Sequence, residues 1–214
     1  MGLGFDLTEA KLLARTILVK GKKSLDKLTD SYNKFFESSI EDTKSVYLET
    51  ANKQRDKGDY ESAIKSYLKI LEIDSRDSNV LNELGKIYLK VGLIREAIDT
   101  FEQVIIVGEK SPQAYYNLGS AYYMNDNNSE AMKAFNEAIR LDGNFFDAYY
   151  KLGLVYDSAG EHDKAIEMYK NVISLNPDHI KAYQSLGLAY ESKGQRDEAV
   201  KYFKRALEKE EKKL

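Results

Sequence analysis

From residue 44 onward the chain places its apolar residues three and four positions apart, in short runs separated by a few polar or glycine residues. That spacing is the signature of helices with one buried face. Tyr115, Leu118, Gly119 and Tyr122 fall on one face of one run, and Ala131, Phe135 and Ala138 fall on one face of the next. The pattern predicts helices near residues 44–57, 60–73, 78–91, 94–107, 112–125, 128–141, 146–159, 162–175, 180–193 and 196–212, and no strand. Between the two runs of each pair stand turn residues: Gly58, Gly92, Gly160 and Gly194 at one position, and Asp126-Asn127 in the remaining pair. Both prolines, Pro112 and Pro177, fall at boundaries between pairs, where a missing amide donor costs least.

The pairs are copies of one another. Leu84-Gly85, Leu118-Gly119, Leu152-Gly153 and Leu186-Gly187 are each 34 residues apart. Tyr88, Tyr122, Tyr156 and Tyr190 follow the glycines, and Leu81, Tyr115, Tyr149 and Tyr183 precede the leucines. Further on come Ala97, Ala131, Ala165 and Ala199, then Phe101, Phe135, Tyr169 and Phe203. A weaker copy begins at Lys44, with Tyr47, Ala51, Ala63 and Tyr67 in register and Gln54 where the others carry tyrosine. Glycine and alanine leave room for two helices to approach, and the aromatic rings fill the space beside them.

This period and residue set resemble the tetratricopeptide repeat. The resemblance implies an all-α, right-handed superhelical solenoid of helical hairpins, with the first helix of each hairpin on the concave side. The repeats are expected at 44–77, 78–111, 112–145, 146–179 and 180–213, together forming a unit at 44–214. Each hairpin is too small to bury its own apolar face, so stability accumulates between neighbours.

Residues 1–43 lie outside the repeat pattern but remain helical in spacing. Leu12, Leu13, Ala14, Ile17 and Leu18 lead to Gly21, and a second amphipathic stretch opens at Ser24 with Leu25, Leu28, Tyr32, Phe35 and Phe36. They read as a degenerate N-terminal helical hairpin, either an end cap or a detachable element whose apolar stripe docks elsewhere. With Lys11, Arg15, Lys20, Lys22 and Lys23 and no acid between residues 11 and 23, this segment also suits weak contact with an anionic membrane surface.

Composition narrows the chemistry. Thirty-two basic and 35 acidic residues give a net charge of −3, which provides no overall attraction to nucleic acid. Zero cysteines exclude disulfides, thiolate metal sites and a cysteine nucleophile. No apolar run reaches the length of a membrane span, and no signal-cleavage pattern follows the first apolar stretch. His162 and His179 are 17 residues apart without a partner at metal-ligand spacing, and read as solvated turn residues. Phosphate-binding and nucleophile-elbow motifs are absent, so the chain is expected not to be an enzyme and to use no cofactor, metal or small-molecule substrate.

Ten of the 16 tyrosines occupy repeat core positions. Of the others, Tyr116 and Tyr123 share a face with Ser120, and Tyr150 is the equivalent of Tyr116 one repeat later. With Gln113, Asn117 and Asp147 they define a candidate protein-binding patch halfway along the concave surface. On this reading Tyr150 is exposed, and Tyr150→Ala leaves stability within about 0.5 kcal/mol of the parent. A carboxylate clamp is not expected: its positions read Leu48, Asn52, Glu83, Gln113 and Asn117, and only Asn52 is of the required type.

Beyond the generic repeat, SLDKLTDSYNKFFESSIEDTKSVY (24–47) running into KGDYESAI (57–64), with DAYYKLGLVYDSAGEHDKAI (147–166) and RDEAVKYFKRALEKEEKK (196–213), resembles the magnetosome-associated tetratricopeptide-repeat family of magnetotactic bacteria. The resemblance implies a cytoplasmic scaffold, peripheral to the magnetosome membrane and involved in biomineralization. Such a scaffold assembles with itself and binds other magnetosome proteins, and Leu25, Leu28, Tyr32, Phe35 and Phe36 would make the self-assembly contact. The alternative is a monomeric peptide-binding adaptor or co-chaperone unrelated to magnetosomes.

Overall fold

The computed structural model describes the backbone of residues 7–108 and 110–211 and, outside residues 7–20, 25 and 32–38, their side chains. Ten α-helices and no strand are present among the described residues: α1 (Leu7–Asp56), α2 (Tyr60–Ile73), α3 (Ser78–Lys90), α4 (Ile94–Val107), α5 (Pro112–Met124), α6 (Asn128–Leu141), α7 (Phe146–Ser158), α8 (His162–Leu175), α9 (Ile180–Ser192) and α10 (Arg196–Glu211). Consecutive helices pack as antiparallel pairs, and each pair stacks on the next.

The turns follow from their residues. Gly58, Gly92, Gly160 and Gly194 have φ between 71° and 83°, a region where a Cβ is strained, and Asp126 takes the equivalent role at φ 56°. Aspartate tolerates this conformation better than a branched residue. Helix starts are capped by side chains: Asp59, Asp77, Ser111 and Asn127 accept from amides three residues on, and Pro112 sits at the first position of α5.

The repeat glycines explain the packing of each hairpin. A Cβ placed on Gly85, Gly119 or Gly153 would lie 2.5 to 2.8 Å from the ring of Phe101, Phe135 or Tyr169 respectively. Each of those rings is fully buried, as is Tyr67 in the first repeat. Phe203, the counterpart in the last repeat, is only half-buried, because no further described helix stacks on α10.

The expected N-terminal hairpin is not formed. Residues 7–56 make one continuous helix of 50 residues, about 75 Å long at 1.5 Å per residue. Gly21 sits inside it, and Ser24 does not cap a new helix. A glycine within a helix costs only about 1 kcal/mol relative to alanine. With no proline before Pro112 and with lysine, leucine and serine on both sides, nothing compels a chain reversal. The C-terminal turns of α1 pack on α2 as the first helix of the first repeat, and Lys44 there contacts Asp74 at 3.1 Å and Asp77 at 3.3 Å. Upstream, residues 21–24, 26–31 and 39–43 are exposed.

Burial of phenols makes stability depend on alkaline pH. Desolvation, then the hydrogen bond to Glu102, pushes the Tyr122 hydroxyl up to about 12. Tyr169 is raised further, by burial first and by its bond to Asp157 second. A tyrosine in an unfolded chain loses its proton near pH 10. Below that pH the phenols are neutral in both states and their contribution is complete; between about 10 and 12 only the unfolded chain ionises, so stability falls. Tyrosinate absorbance should therefore lag behind a free-tyrosine titration, and helical circular dichroism should drop as the delayed fraction ionises. A titration in which every tyrosine ionises near pH 10 with the helices intact would contradict this burial.

Candidate interaction surface

The first helices of successive hairpins touch across the repeat boundaries, α3 with α5 and α5 with α7. They therefore occupy the shorter, inner side of the stack.

At the N-terminal half of this face the side chains satisfy one another. Tyr67 donates to Asn52 at 2.7 Å, and Arg55 pairs with Glu83 at 2.8 Å. Glu83, also paired with Lys86, stands where a carboxylate clamp would need a donor, so this surface does not offer that chemistry. Next comes a chain of amides. Gln113 Nε2 donates to Asn117 Oδ1 at 2.9 Å, and Asn117 Nδ2 donates to Asn82 Oδ1 at 2.8 Å, linking α5 to α3.

The seven residues expected to form the patch are brought to one region but in different roles. Gln113 is exposed, while Asn117 is 7% exposed and held between two other amides. Ser120 turns its hydroxyl back onto the Tyr116 carbonyl at 2.8 Å. Tyr116 is half-buried, with its ring 5.2 Å from Phe145 and 5.9 Å from Phe135. Its hydroxyl is raised by burial and, secondarily, by Asp147, with a smaller opposing effect from Ser120. Tyr123 and Asp147 are also half-buried.

Tyr150 is not the exposed ring that the helical pattern suggested. It packs 4.8 Å from His179 and 5.9 Å from Tyr169, with its hydroxyl 3.4 Å from Ser185. The next repeat closes over it. Tyr150→Ala should accordingly destabilise by about 1 to 3 kcal/mol, short of a fully buried aromatic but well beyond a surface change. Denaturant unfolding checks this, and an effect below about 0.5 kcal/mol would restore the exposed reading.

The histidines also differ from expectation, being half-buried and structural. His179 Nδ1 accepts from the Ala182 amide at 3.0 Å, capping α9. His162 Nδ1 lies 2.9 Å from Asp157, whose other oxygen accepts from Tyr169 at 2.8 Å.

Leu25, Tyr32, Phe35 and Phe36 of the expected self-assembly stripe lie outside the described side chains, while Leu28 is 66% exposed. Sequence reading overlooked Asn79 and Asn82, which line the inner face beside Gln113. The available signal was positional, because they stand 34 residues before Gln113 and Tyr116. Among the described residues no group of three or more histidine, cysteine, aspartate or glutamate side chains could hold a metal ion, and no helix is long and apolar enough to cross a membrane.

Comparison with known proteins agrees with this architecture. Tetratricopeptide repeat models match residues 82–144, 146–179 and 180–213, and a TPR repeat model matches residues 51–92. A solved structure described as the crystal structure of MamA protein is 53% identical, with 80% of this chain and 93% of that one aligned at a TM-score of 0.74. YrrB, described as a TPR protein with an unusual peptide-binding site, is 25% identical over 76% of this chain and 84% of its own, at a TM-score of 0.65. MamA 41-end from Desulfovibrio magneticus RS-1, at 23% identity, 80% and 97% coverage and a TM-score of 0.75, shares the fold. Curated protein sequences gave no match. The inner face of stacked hairpins and the repeat matches define a tetratricopeptide-repeat protein, a scaffold for protein interactions. Within that class the chain belongs to the MamA family.

Proposed function

We propose that this scaffold assembles into homo-oligomers on the cytoplasmic face of the magnetosome membrane, where its inner face binds other magnetosome proteins. The observation that carries self-assembly is the long N-terminal extension of α1. Its described side chains between residues 21 and 43 are exposed, Leu28 and Ile40 among them. Most helix stability in proteins comes from packing an apolar stripe, and among the described side chains of this segment Leu28 and Ile40 are left exposed. Seating it against the inner face of a second copy is a heterologous contact, which produces rings or open chains. The resemblance of residues 24–47 to the magnetosome-associated family supports the location, and exposed Lys22 and Lys23 are suited to weak contact with anionic lipid.

The amide-rich inner face would equally serve a monomeric peptide-binding adaptor. Solution mass measured against concentration separates the two readings. Self-assembly is expected to raise the mass well above the 24.4 kDa of one chain. A monomer at high concentration would overturn it and leave the adaptor.

A further inference from the structure

The residues just before α3, α5, α7 and α9 are Asp77, Ser111, Phe145 and His179, each 34 positions after the last. Three of the four cap their helix with a side chain. Asp77 accepts from the Val80 amide, Ser111 from Ala114 and His179, through Nδ1, from Ala182 at 3.0 Å, whereas Phe145 makes no such bond. A hydroxyl or an ionised carboxylate keeps its lone pairs near neutral pH. An imidazole takes up a proton near pH 6.5, so the cap of α9 differs in kind from the other two.

This cap admits one protonation state. To accept from an N–H, Nδ1 must hold a lone pair, so the ring is the neutral tautomer with its proton on Nε2. A second proton turns Nδ1 into a donor facing the Ala182 N–H and places a cation at the positive end of the α9 dipole. The described charges around the ring balance. Asp178 and Lys181 flank it on its own segment, and α10 brings Glu210 to the same cleft of about 540 Å³ and Lys209 to within 2.8 Å of Asp178. From α7 the ring meets Phe146 at 5.9 Å and the titratable phenol of Tyr150 at 4.8 Å.

One side chain therefore both starts α9 and ties it to the first helix of the preceding hairpin. Among the described residues the α9–α10 hairpin has a stacked neighbour on one side only, and end units of a repeat array open more readily than internal ones. We propose that His179 is a pH-sensitive latch between the fourth and fifth hairpins, whose protonation releases the start of α9 and uncovers the Tyr150 ring. The cap contributes fully while the imidazole is neutral in folded and unfolded chains alike, above about pH 6.5. Its contribution is lost as pH falls further, because the unfolded chain then takes the proton more readily. His162 is expected to behave differently. Its Nδ1 lies 2.9 Å from Asp157, whose carboxylate accepts from a neutral or a protonated ring. The latch requires neither the assembly nor the partner binding proposed above.

The test is amide hydrogen exchange of the full-length protein, followed by mass spectrometry at about pH 7.5 and about pH 5.5 and corrected for the intrinsic exchange rate at each. Protection across α9 should fall about fivefold at the lower pH, the typical worth of an N-cap, while α3 and α5 keep theirs. His179→Asn supplies a cap that does not titrate, and its α9 protection should be the same at both pH values. A variant that is less protected overall but flat with pH supports the latch, since it has lost ring packing and not the cap. His162→Gln should leave the parent's response in place. Unchanged α9 protection in the parent overturns the proposal, as does a His179→Asn variant that retains the drop. Disappearance of the drop in His162→Gln overturns it as well and assigns the pH response to the other histidine.

Discussion

Tyr169→Ala is expected to lower stability by about 3 to 5 kcal/mol, among the largest effects available to a single substitution in this chain. The ring is fully buried, fills the space left by Gly153 and donates its hydroxyl to Asp157 at 2.8 Å. Removing it leaves a cavity between α7, α8 and α9 and releases a carboxylate that also holds His162. Gly153→Ala attacks the same contact from the other side. Its Cβ would lie 2.5 Å from Tyr169 Cε1, so the ring or a helix must move, at a cost of about 1 to 3 kcal/mol. Gly143→Ala is the control, since a Cβ there meets nothing within 4 Å and no change beyond about 0.5 kcal/mol is expected. Denaturant unfolding of the three variants checks the order. A Gly153→Ala variant as stable as the parent would mean that the aromatic contact does not explain the repeat glycine.

The second large effect concerns assembly. A chain beginning at residue 44 should be a monomer that keeps the circular dichroism of its repeats, because every hairpin from α2 to α10 retains its stacked neighbours. Polar replacement of Leu25, Leu28 and Phe35 in the whole chain should act similarly by removing the apolar stripe. High salt should leave the assembly intact, since screening weakens exposed charge pairs but not apolar burial. Light scattering with size separation provides the measurement. A shortened chain that still assembles would assign the contact to the repeats themselves and reduce residues 1–43 to an extension with another role.

The repeat was legible in the residues because each hairpin is specified locally. Turn glycines need positive φ, the cap residues need a side-chain acceptor, and the 34-residue spacing of Leu-Gly pairs keeps every buried face in register. Hence the positions of α2 to α10 could be read without coordinates, while the inner location of the first helices came from the resemblance to the tetratricopeptide repeat. The amino-acid sequence by itself determined the fold class, the helix boundaries from residue 60 onward and the absence of motif-based catalytic chemistry. It did not determine where α1 would begin, because Gly21 is compatible with either a turn or a helix. Nor did it reveal that Tyr150 would be covered or that Asn82, Asn117 and Gln113 would join hands across two helices. Those outcomes depend on the rotation and spacing of one hairpin relative to the next. Helical periodicity fixes the face on which a side chain lies, but only the stacking geometry decides what stands opposite it.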